Sequence, residues 1–153
     1  MKKKCVIWGS VLMIVALCIS IPLTVYAFDD RYVEYEKLPA SIKQFVSAHF
    51  PDAELITASK DFPEYSVWIG QSIEIDFNFR REWDEISCKS GEAIPASILA
   101  LIPANIHEYI NKNFDGAVIT KISRERRGYE IGISNRNFEL FFNKNGQLAG
   151  IDD

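Results

Sequence analysis

The feature that most limits how this chain can fold is a strand pattern that occurs twice, 64 residues apart. In residues 129–150, apolar side chains alternate with polar ones in two runs, and Asn-Gly at positions 145–146 precedes a third run. A period of two is typical of strands with one buried face, and Asn-Gly is a preferred hairpin turn. The stretch 65–86 repeats this order with Arg80 and Arg81 at the turn. Each stretch therefore predicts a three-stranded antiparallel meander.

A helical stripe precedes each meander. Apolar residues stand at offsets 0, 4, 7, 8 and 12 from Leu38 and again from Ile102, which is the spacing of one helix face. Pro39 and Pro103 each open a stripe, where proline favours a first helical turn. A strand at residues 54–60 brings the first copy to four strands. Because unrelated segments would not keep this register, we expect a tandem repeat of one helix and a four-stranded sheet. The stripes are Leu38, Ile42, Phe45, Val46 and Phe50, and Ile102, Ile106, Tyr109, Ile110 and Phe114.

The repeats divide the chain into four parts. Residues 1–27 have a lysine-rich start, an apolar core and a small residue at Ala27, which is the pattern of a cleaved signal peptide. An uncleaved membrane anchor is the alternative, because the apolar run is long enough to cross a bilayer. We expect a first repeat at residues 28–88, a linker with a short helix at 89–101, and a second repeat at 102–153.

The charge and the cysteine content of the chain exclude some partners and an intrachain disulfide. Without residues 1–27 the chain holds 14 Lys and Arg against 21 Asp and Glu, a net charge of about −7. This balance opposes a general affinity for nucleic acid or anionic lipid, so we expect neither nucleic acid nor membrane as a partner after cleavage. Cys5 and Cys18 leave with the signal peptide, although lipidation of Cys18 is a weaker alternative. Cys88 then has no partner for an intrachain disulfide.

No pattern of residues predicts catalysis or a cofactor. The histidines, His49 and His107, each stand on a helix beside its apolar stripe, and no serine or cysteine motif accompanies them. Clustered Cys and His of a zinc site are absent, and residues 143–146 lack the closing glutamate of a calcium loop. We expect a protein that is not an enzyme and has no cofactor and no bound metal. Weak cation binding at strand carboxylates such as Glu74 and Asp76 stays open as an alternative.

Several segments follow the pattern of a known family. They are LPASIKQFVSAHFPDAEL, YSVWI and IEIDFN, then IPASILALIPANIHEYINKNF, YEIGI and FELFFNKNG. Over residues 32–153 the chain resembles the PepSY-like family, also called β-lactamase-inhibitor-like, of secreted proteins of Bacteroides-type bacteria. The resemblance implies an α+β fold like that of the β-lactamase inhibitor protein. Each repeat would lay a helix on a four-stranded antiparallel sheet, and the two sheets would form a curved surface. It implies little about function, since a fold hosts many functions.

A sheet covered by a helix on one side leaves its other face to water or a partner. Large aromatic side chains on an otherwise acidic face are typical of interface anchors, although their packing on each other or on a loop is the alternative. We expect a periplasmic or secreted module, monomeric or weakly dimeric, that binds or inhibits an envelope protein carrying a basic patch. A structural or small-ligand-binding role is the alternative. The alternation assigns six side chains to this face: Trp68, Glu74, Asp76, Glu130, Glu139 and Phe141.

Overall fold

The computed structural model describes residues 31–152. The predicted signal peptide and its cleavage site lie outside these residues. Within them, no helix is long and apolar enough to cross a membrane. The elements in order are β1 (Tyr32–Val33), α1 (Ala40–His49), β2 (Ile56–Asp61), β3 (Glu64–Ile69), β4 (Ile73–Phe77), β5 (Trp83–Cys88), α2 (Ala96–Leu99), α3 (Ala104–Asn113), β6 (Ile119–Glu125), β7 (Gly128–Ile133), β8 (Glu139–Asn143) and β9 (Leu148–Asp152). A 3-10 turn, Tyr35–Lys37, precedes α1.

The nine strands form one antiparallel sheet in which every strand pairs with its neighbours in sequence. The two four-stranded sheets expected from the sequence are therefore joined into one sheet. β5 pairs with β6 through Ile86 and Ile122, both fully buried, so joining the halves makes their apolar faces continuous. Tyr32 and Val33 pair with the outer side of β2 and add the ninth strand. The fold is mainly an antiparallel sheet with few helices, in keeping with the α+β class.

The core lies between one face of this sheet and the helices α1 and α3. Phe45 of α1 meets the edge of the Phe77 ring, with ring centroids 5.6 Å apart. Tyr109 of α3 meets Phe142 in the same way at 5.5 Å. The fully buried side chains beneath the two helices confirm that the stripes face the sheet: Ile42, Val46, Ile106 and Ile110 from the helices, and Val67, Ile75, Ile86, Ile122, Ile131 and Leu140 from the strands.

The phenylalanines that follow α1 and α3 are buried to different extents. Phe50 follows α1 and is buried, with 9% of its surface exposed. Phe114 follows α3 and is only half-buried, against the rings of Tyr109 and Phe138. Both residues stand at offset 12 of their stripes, so the same position is buried in the first half and half-buried in the second. The equal spacing fixes which side of the helix a residue lies on but not how much of the sheet reaches beneath it.

The turn between β4 and β5 has the hydrogen-bond pattern of the turn between β8 and β9. The side-chain oxygens of Asn78 and Asn143 each accept two backbone N–H groups of their own turn. Arg81 has a φ of 67°, close to the 73° of Gly146. This left-handed conformation costs a non-glycine residue roughly 1–2 kcal/mol. Arg81 offsets part of that cost, because its guanidinium donates to the Pro63 carbonyl at 2.5 Å.

Candidate functional site: the open face of the sheet

The open face is the side of the sheet that α1 and α3 do not cover. Two rows of side chains cross it from β2 to β8, and each residue is the register partner of the next. The first row is Thr57, Trp68, Glu74, Ser87, Lys121, Gly132 and Glu139, and the second is Ser59, Ser66, Asp76, Glu85, Ser123, Glu130 and Phe141. All six side chains that the sequence assigned to this face lie in these rows.

The two aromatic side chains stand far apart on this face. Trp68 lies on β3 and Phe141 on β8, so five strand spacings separate them, about 24 Å in a flat sheet. This distance excludes the alternative that the two rings pack against each other. Both are half-buried, and neither belongs to the hydrophobic core beneath the helices. The packing of the core therefore does not explain why these two large aromatic side chains lie on the open face.

Lys121, which the sequence analysis did not single out, holds together three carboxylates of the open face. Its Nζ lies 2.9 Å from Glu130 Oε1 and 3.0 Å from Glu139 Oε1. A third carboxylate, that of Glu85, lies 3.6 Å away. Gly132 leaves room for this arrangement, because a Cβ at position 132 would come within 2.9 Å of Lys121 Cβ. The middle of the open face is thus an ordered ionic cluster.

Contacts within the cluster shift the pKa values of Lys121, Glu130 and Glu139. Burial acts to lower the pKa of Lys121, but hydrogen bonds to Glu130 and Glu139 outweigh it and raise that pKa well above its ordinary value. The hydrogen bond with Glu139, followed by that from Lys121, lowers the pKa of Glu130. The same contact with Glu130, together with burial, raises the pKa of Glu139. Glu139 is therefore the member of the pair that holds a proton more readily.

A β-bulge explains why Lys121 escaped the sequence pattern. The register between β6 and β7 shifts between Ile119 and Lys121. Ile119 and Ile122 are both buried although they are three residues apart, so the expected alternation is broken at Thr120. Alternation counted from the buried Ile122 alone would have placed its neighbour Lys121 on the opposite, open face. That local count is the signal by which the sequence could have revealed the cluster.

The remaining predicted acidic residues are also engaged within the molecule. Glu74 pairs with Lys89 at 3.0 Å. Asp76 accepts a hydrogen bond from the Ser66 hydroxyl at 2.6 Å, and its pKa is raised, mainly by burial. The expectation of a uniformly acidic face therefore needs correction, since lysines pair with Glu74, Glu130 and Glu139. The carboxylates of this face are therefore held by contacts within the molecule.

Hollows on this face are lined mainly by polar side chains. One, of about 480 Å³, lies where β5 and β6 separate and includes Lys121, Glu139 and Arg136. Another, of about 460 Å³, includes Phe141 and Arg127. Sites for small organic ligands are usually lined by apolar and aromatic side chains. The open face is thus better suited to a broad contact than to enclosing an apolar small molecule.

Two arrangements that support catalysis, an activated nucleophile and a group of side chains placed to hold a metal ion, are not present among residues 31–152. Within residues 31–152, no serine or cysteine side chain hydrogen-bonds to a histidine ring, as an activated nucleophile requires. Cys88 is buried, with its Sγ 3.2 Å from Ser90 Oγ. Over the same part of the chain, no three His, Cys, Asp or Glu side chains are placed to hold a metal ion.

Solved structures of Bacteroides proteins share this fold. One, described as a putative periplasmic protein of the DUF2874 family from Bacteroides vulgatus, is 28% identical with a TM-score of 0.68 over 83% of this chain and 99% of that one. A putative calcium-regulated periplasmic protein from Bacteroides thetaiotaomicron is 32% identical with a TM-score of 0.67 over 82% and 98%. A putative periplasmic protein of unknown function from Bacteroides vulgatus is 31% identical, with a TM-score of 0.65 over 78% and 95%.

The sequence itself also identifies a family. No curated protein is significantly similar to this chain. Residues 63–149, more than half of the chain, match the family described as "Putative beta-lactamase-inhibitor-like, PepSY-like". This match confirms the resemblance that the repeated segments suggested. The chain therefore belongs to the PepSY-like, β-lactamase-inhibitor-like family.

Proposed function

We propose that this chain is an exported, non-catalytic module that binds a protein of the cell envelope, and inhibits it where the contact covers a functional surface. The observation that carries the proposal is the open face, on which Trp68 and Phe141 stay partly exposed and outside the core. Aromatic side chains concentrate binding energy in protein interfaces. Membership of an inhibitor-like family supports the same role.

Location in the periplasm, or secretion, is part of this proposal. Two observations support it. The start of the sequence has the pattern of a signal peptide ending at Ala27. The similar Bacteroides proteins are described as putative periplasmic proteins. A mature chain beginning at Phe28 would contain the whole described fold.

We infer further that the two halves are tandem repeats arranged as in the β-lactamase inhibitor protein. The support is the equal spacing of the helical stripes, the matching contacts of Phe45 with Phe77 and Tyr109 with Phe142, and the shared turn geometry. In this arrangement each repeat contributes one aromatic side chain to the open face. Trp68 comes from the first repeat and Phe141 from the second.

The distance between Trp68 and Phe141 indicates how large a partner surface must be to contact both. About 24 Å between them is within the extent of an ordinary protein interface, which buries about 800 Å² on each side. The Lys121 cluster lies between them and presents charges already fixed in position. Fixed ion pairs contribute specificity, because a partner must match them or leave its own polar groups unpaired.

Capture of envelope proteins by the tagged chain from residue 28 tests this proposal. Trp68→Ala and Phe141→Ala should each weaken partner capture by about 2 kcal/mol or more, the effect of removing an interface anchor. Leu101→Ala is the matched control, because Leu101 is 39% exposed but lies outside the open face. Folded Trp68→Ala and Phe141→Ala proteins that recover the same partners in the same amounts as the Leu101→Ala protein would refute the proposal.

A calcium-binding or calcium-regulated role is the second candidate. It is favoured by a hollow of about 320 Å³ that five carboxylates line without any basic side chain, and by the description of the Bacteroides thetaiotaomicron relative. It stands second because the described residues place no three such groups to hold an ion. A saturable heat on calorimetric titration with calcium chloride, lost in Asp76→Asn, would favour it. The carboxylates are those of Asp61, Glu64, Asp76, Asp84 and Glu85.

A further inference from the structure

Four hairpin tips lie at the same end of the sheet. The strands are antiparallel and follow each other in sequence order, so every second connection falls at the same end. The connections β2–β3, β4–β5, β6–β7 and β8–β9 therefore share one end. We call this end the hairpin-tip edge and define it as residues 60–64, 78–82, 124–127 and 143–146.

Basic residues are concentrated at the hairpin-tip edge. Its four segments hold seven Lys and Arg against four Asp and Glu. The rest of the chain from residue 28 holds seven basic residues against 17 acidic ones. A chain that is acidic as a whole therefore has one positive edge, with a net charge of about +3. The basic residues of this edge are Lys60, Arg80, Arg81, Arg124, Arg126, Arg127 and Lys144.

Two phenylalanines project from the tips beside these cations. Phe62 is 80% exposed and Phe79 is 60% exposed. Lys60 Nζ lies 5.2 Å from the centre of the Phe62 ring. Arg80 Cζ lies 5.2 Å from the centre of the Phe79 ring. Each exposed ring is thus paired with a positive charge at the end of the sheet.

Neighbouring tips are fastened to each other. The guanidinium of Arg81 donates to the Pro63 carbonyl at 2.5 Å and so joins the β4–β5 tip to the β2–β3 tip. Arg124 donates to the Trp83 carbonyl at 3.2 Å and lies over the indole, 4.8 Å from its centre. This contact joins the β6–β7 hairpin to the start of β5. A surface already held in shape loses little conformational entropy on binding.

Two arginines of the edge lie in a hollow that also includes Glu125 and Glu130, but they do not pair with these carboxylates. Among residues 31–152, neither Arg126 nor Arg127 takes part in an ion pair. Both are exposed at the β6–β7 tip. Their guanidinium groups are therefore free to meet an external anion. Arg81 and Arg124, by contrast, already bond within the molecule.

We propose that the hairpin-tip edge docks onto an anionic lipid membrane surface. Exposed phenylalanine side chains partition to the boundary between headgroups and acyl chains, while arginines beside them attract anionic headgroups. The tips at this end of the sheet carry both the exposed phenylalanines and the unpaired arginines. The net charge of the whole chain predicted no membrane association, but that average conceals the separation of charge between this edge and the rest.

Vesicle co-sedimentation of the chain from residue 28 tests this proposal. That portion contains the entire core of the described fold. We expect it to bind vesicles of equimolar phosphatidylcholine and phosphatidylglycerol far better than vesicles of phosphatidylcholine alone, and less as salt is raised. The double variants Phe62→Ser with Phe79→Ser, and Arg126→Ala with Arg127→Ala, should each lower the partition coefficient by roughly tenfold or more.

Leu55→Ser and Arg136→Ala are the matched controls, because both residues are exposed at the opposite end of the sheet. They should leave the partition coefficient unchanged. Controls that weaken binding as much as the edge variants would overturn the proposal. So would equal binding to the neutral vesicles. Absence of binding to the anionic vesicles at low salt would overturn it as well, and would favour an acidic protein as the occupant of the edge.

Discussion

Phe142→Ala should lower the free energy of unfolding by about 3–5 kcal/mol, whereas Phe141→Ala should lower it by less than about 1 kcal/mol. The two residues are adjacent on β8 but point to opposite faces. Phe142 is fully buried and meets the edge of the Tyr109 ring, with centroids 5.5 Å apart. Its removal leaves a cavity beneath α3. Phe141 is half-buried on the open face, where water can fill the space left by its ring.

Urea denaturation followed by circular dichroism measures this difference. An unchanged dependence on urea concentration in both variants would show that the unfolding reaction itself is the same. Phe77→Ala serves as the control for size, because Phe77 is buried with 1% exposed and packs on Phe45 of α1. It should behave like Phe142→Ala. Similar losses for Phe141→Ala and Phe142→Ala would contradict the assignment of the two faces.

Lys121→Met should lower the free energy of unfolding at neutral pH by about 1–2 kcal/mol. The substitution leaves Glu85, Glu130 and Glu139 close together without their shared cation. Removing one partner of a fully buried ion pair costs about 3–5 kcal/mol, and partial exposure of this cluster reduces that figure through solvent screening. Lys89→Met is the matched control, because among residues 31–152 Lys89 forms an ion pair only with Glu74, and its side chain is 61% exposed. It should change stability by no more than about 0.5 kcal/mol.

The pH dependence of the Lys121→Met effect follows from the directions of the pKa shifts. A raised pKa means that Lys121 stabilises the fold fully below its ordinary pKa of about 10.4 and loses this effect as pH rises through the raised value. The lowered pKa of Glu130 means that its contribution is present above its ordinary pKa and is lost as pH falls. Glu139, with a raised pKa, opposes folding once it is ionised.

The difference between the unmodified protein and Lys121→Met should therefore be largest from about pH 6 to pH 9 and should shrink below about pH 4, where the carboxylates take up protons. Thermal melts across this range measure it. A difference that does not vary with pH would show that Lys121 acts through packing of its aliphatic stem. If Lys121→Met lowers the free energy of unfolding by no more than Lys89→Met does, the cluster does not stabilise the open face.

Local patterns in the sequence predicted the elements of this fold well. The alternation around Tyr129 and Tyr65 predicted strands, the offsets from Leu38 and Ile102 predicted helices, and these elements are present. Each depends on residues close in sequence, for which periodicity is a direct physical signal. The same alternation placed Trp68 and Phe141 on the face away from the helices.

The joining of the halves could not be predicted in this way. β5 and β6 meet across a connection of about 30 residues, and only three register pairs hold them, at Glu85, Ile86 and Ser87. Pairing between distant strands leaves no periodic trace in either one. The strand at Tyr32–Val33 is likewise defined by its partner β2 rather than by its own short sequence. For this reason the sequence alone did not predict that the two sheets are joined into one.

The residues of the candidate sites also differ in whether local sequence patterns predict them. Side chains that alternation alone assigns were placed on the correct face. Lys121 was missed because a bulge at Thr120 shifts the register, and the hairpin-tip edge was missed because it exists only once the strand order is known. Residues 124–127 form an arginine-rich cluster in the sequence. The sheet brings this cluster to the same end as Phe62 and Phe79.

Photocrosslinking in the native cell envelope tests most directly whether the open face is the binding surface. A photoreactive phenylalanine analogue would be placed at Ser66 or Ser123 on the open face and, as controls, at the exposed residues Gln44 of α1 and Glu108 of α3. We expect one and the same protein to be crosslinked from both open-face positions and from neither helix position. Crosslinks to that protein from Gln44 or Glu108, with none from Ser66 and Ser123, would contradict the account.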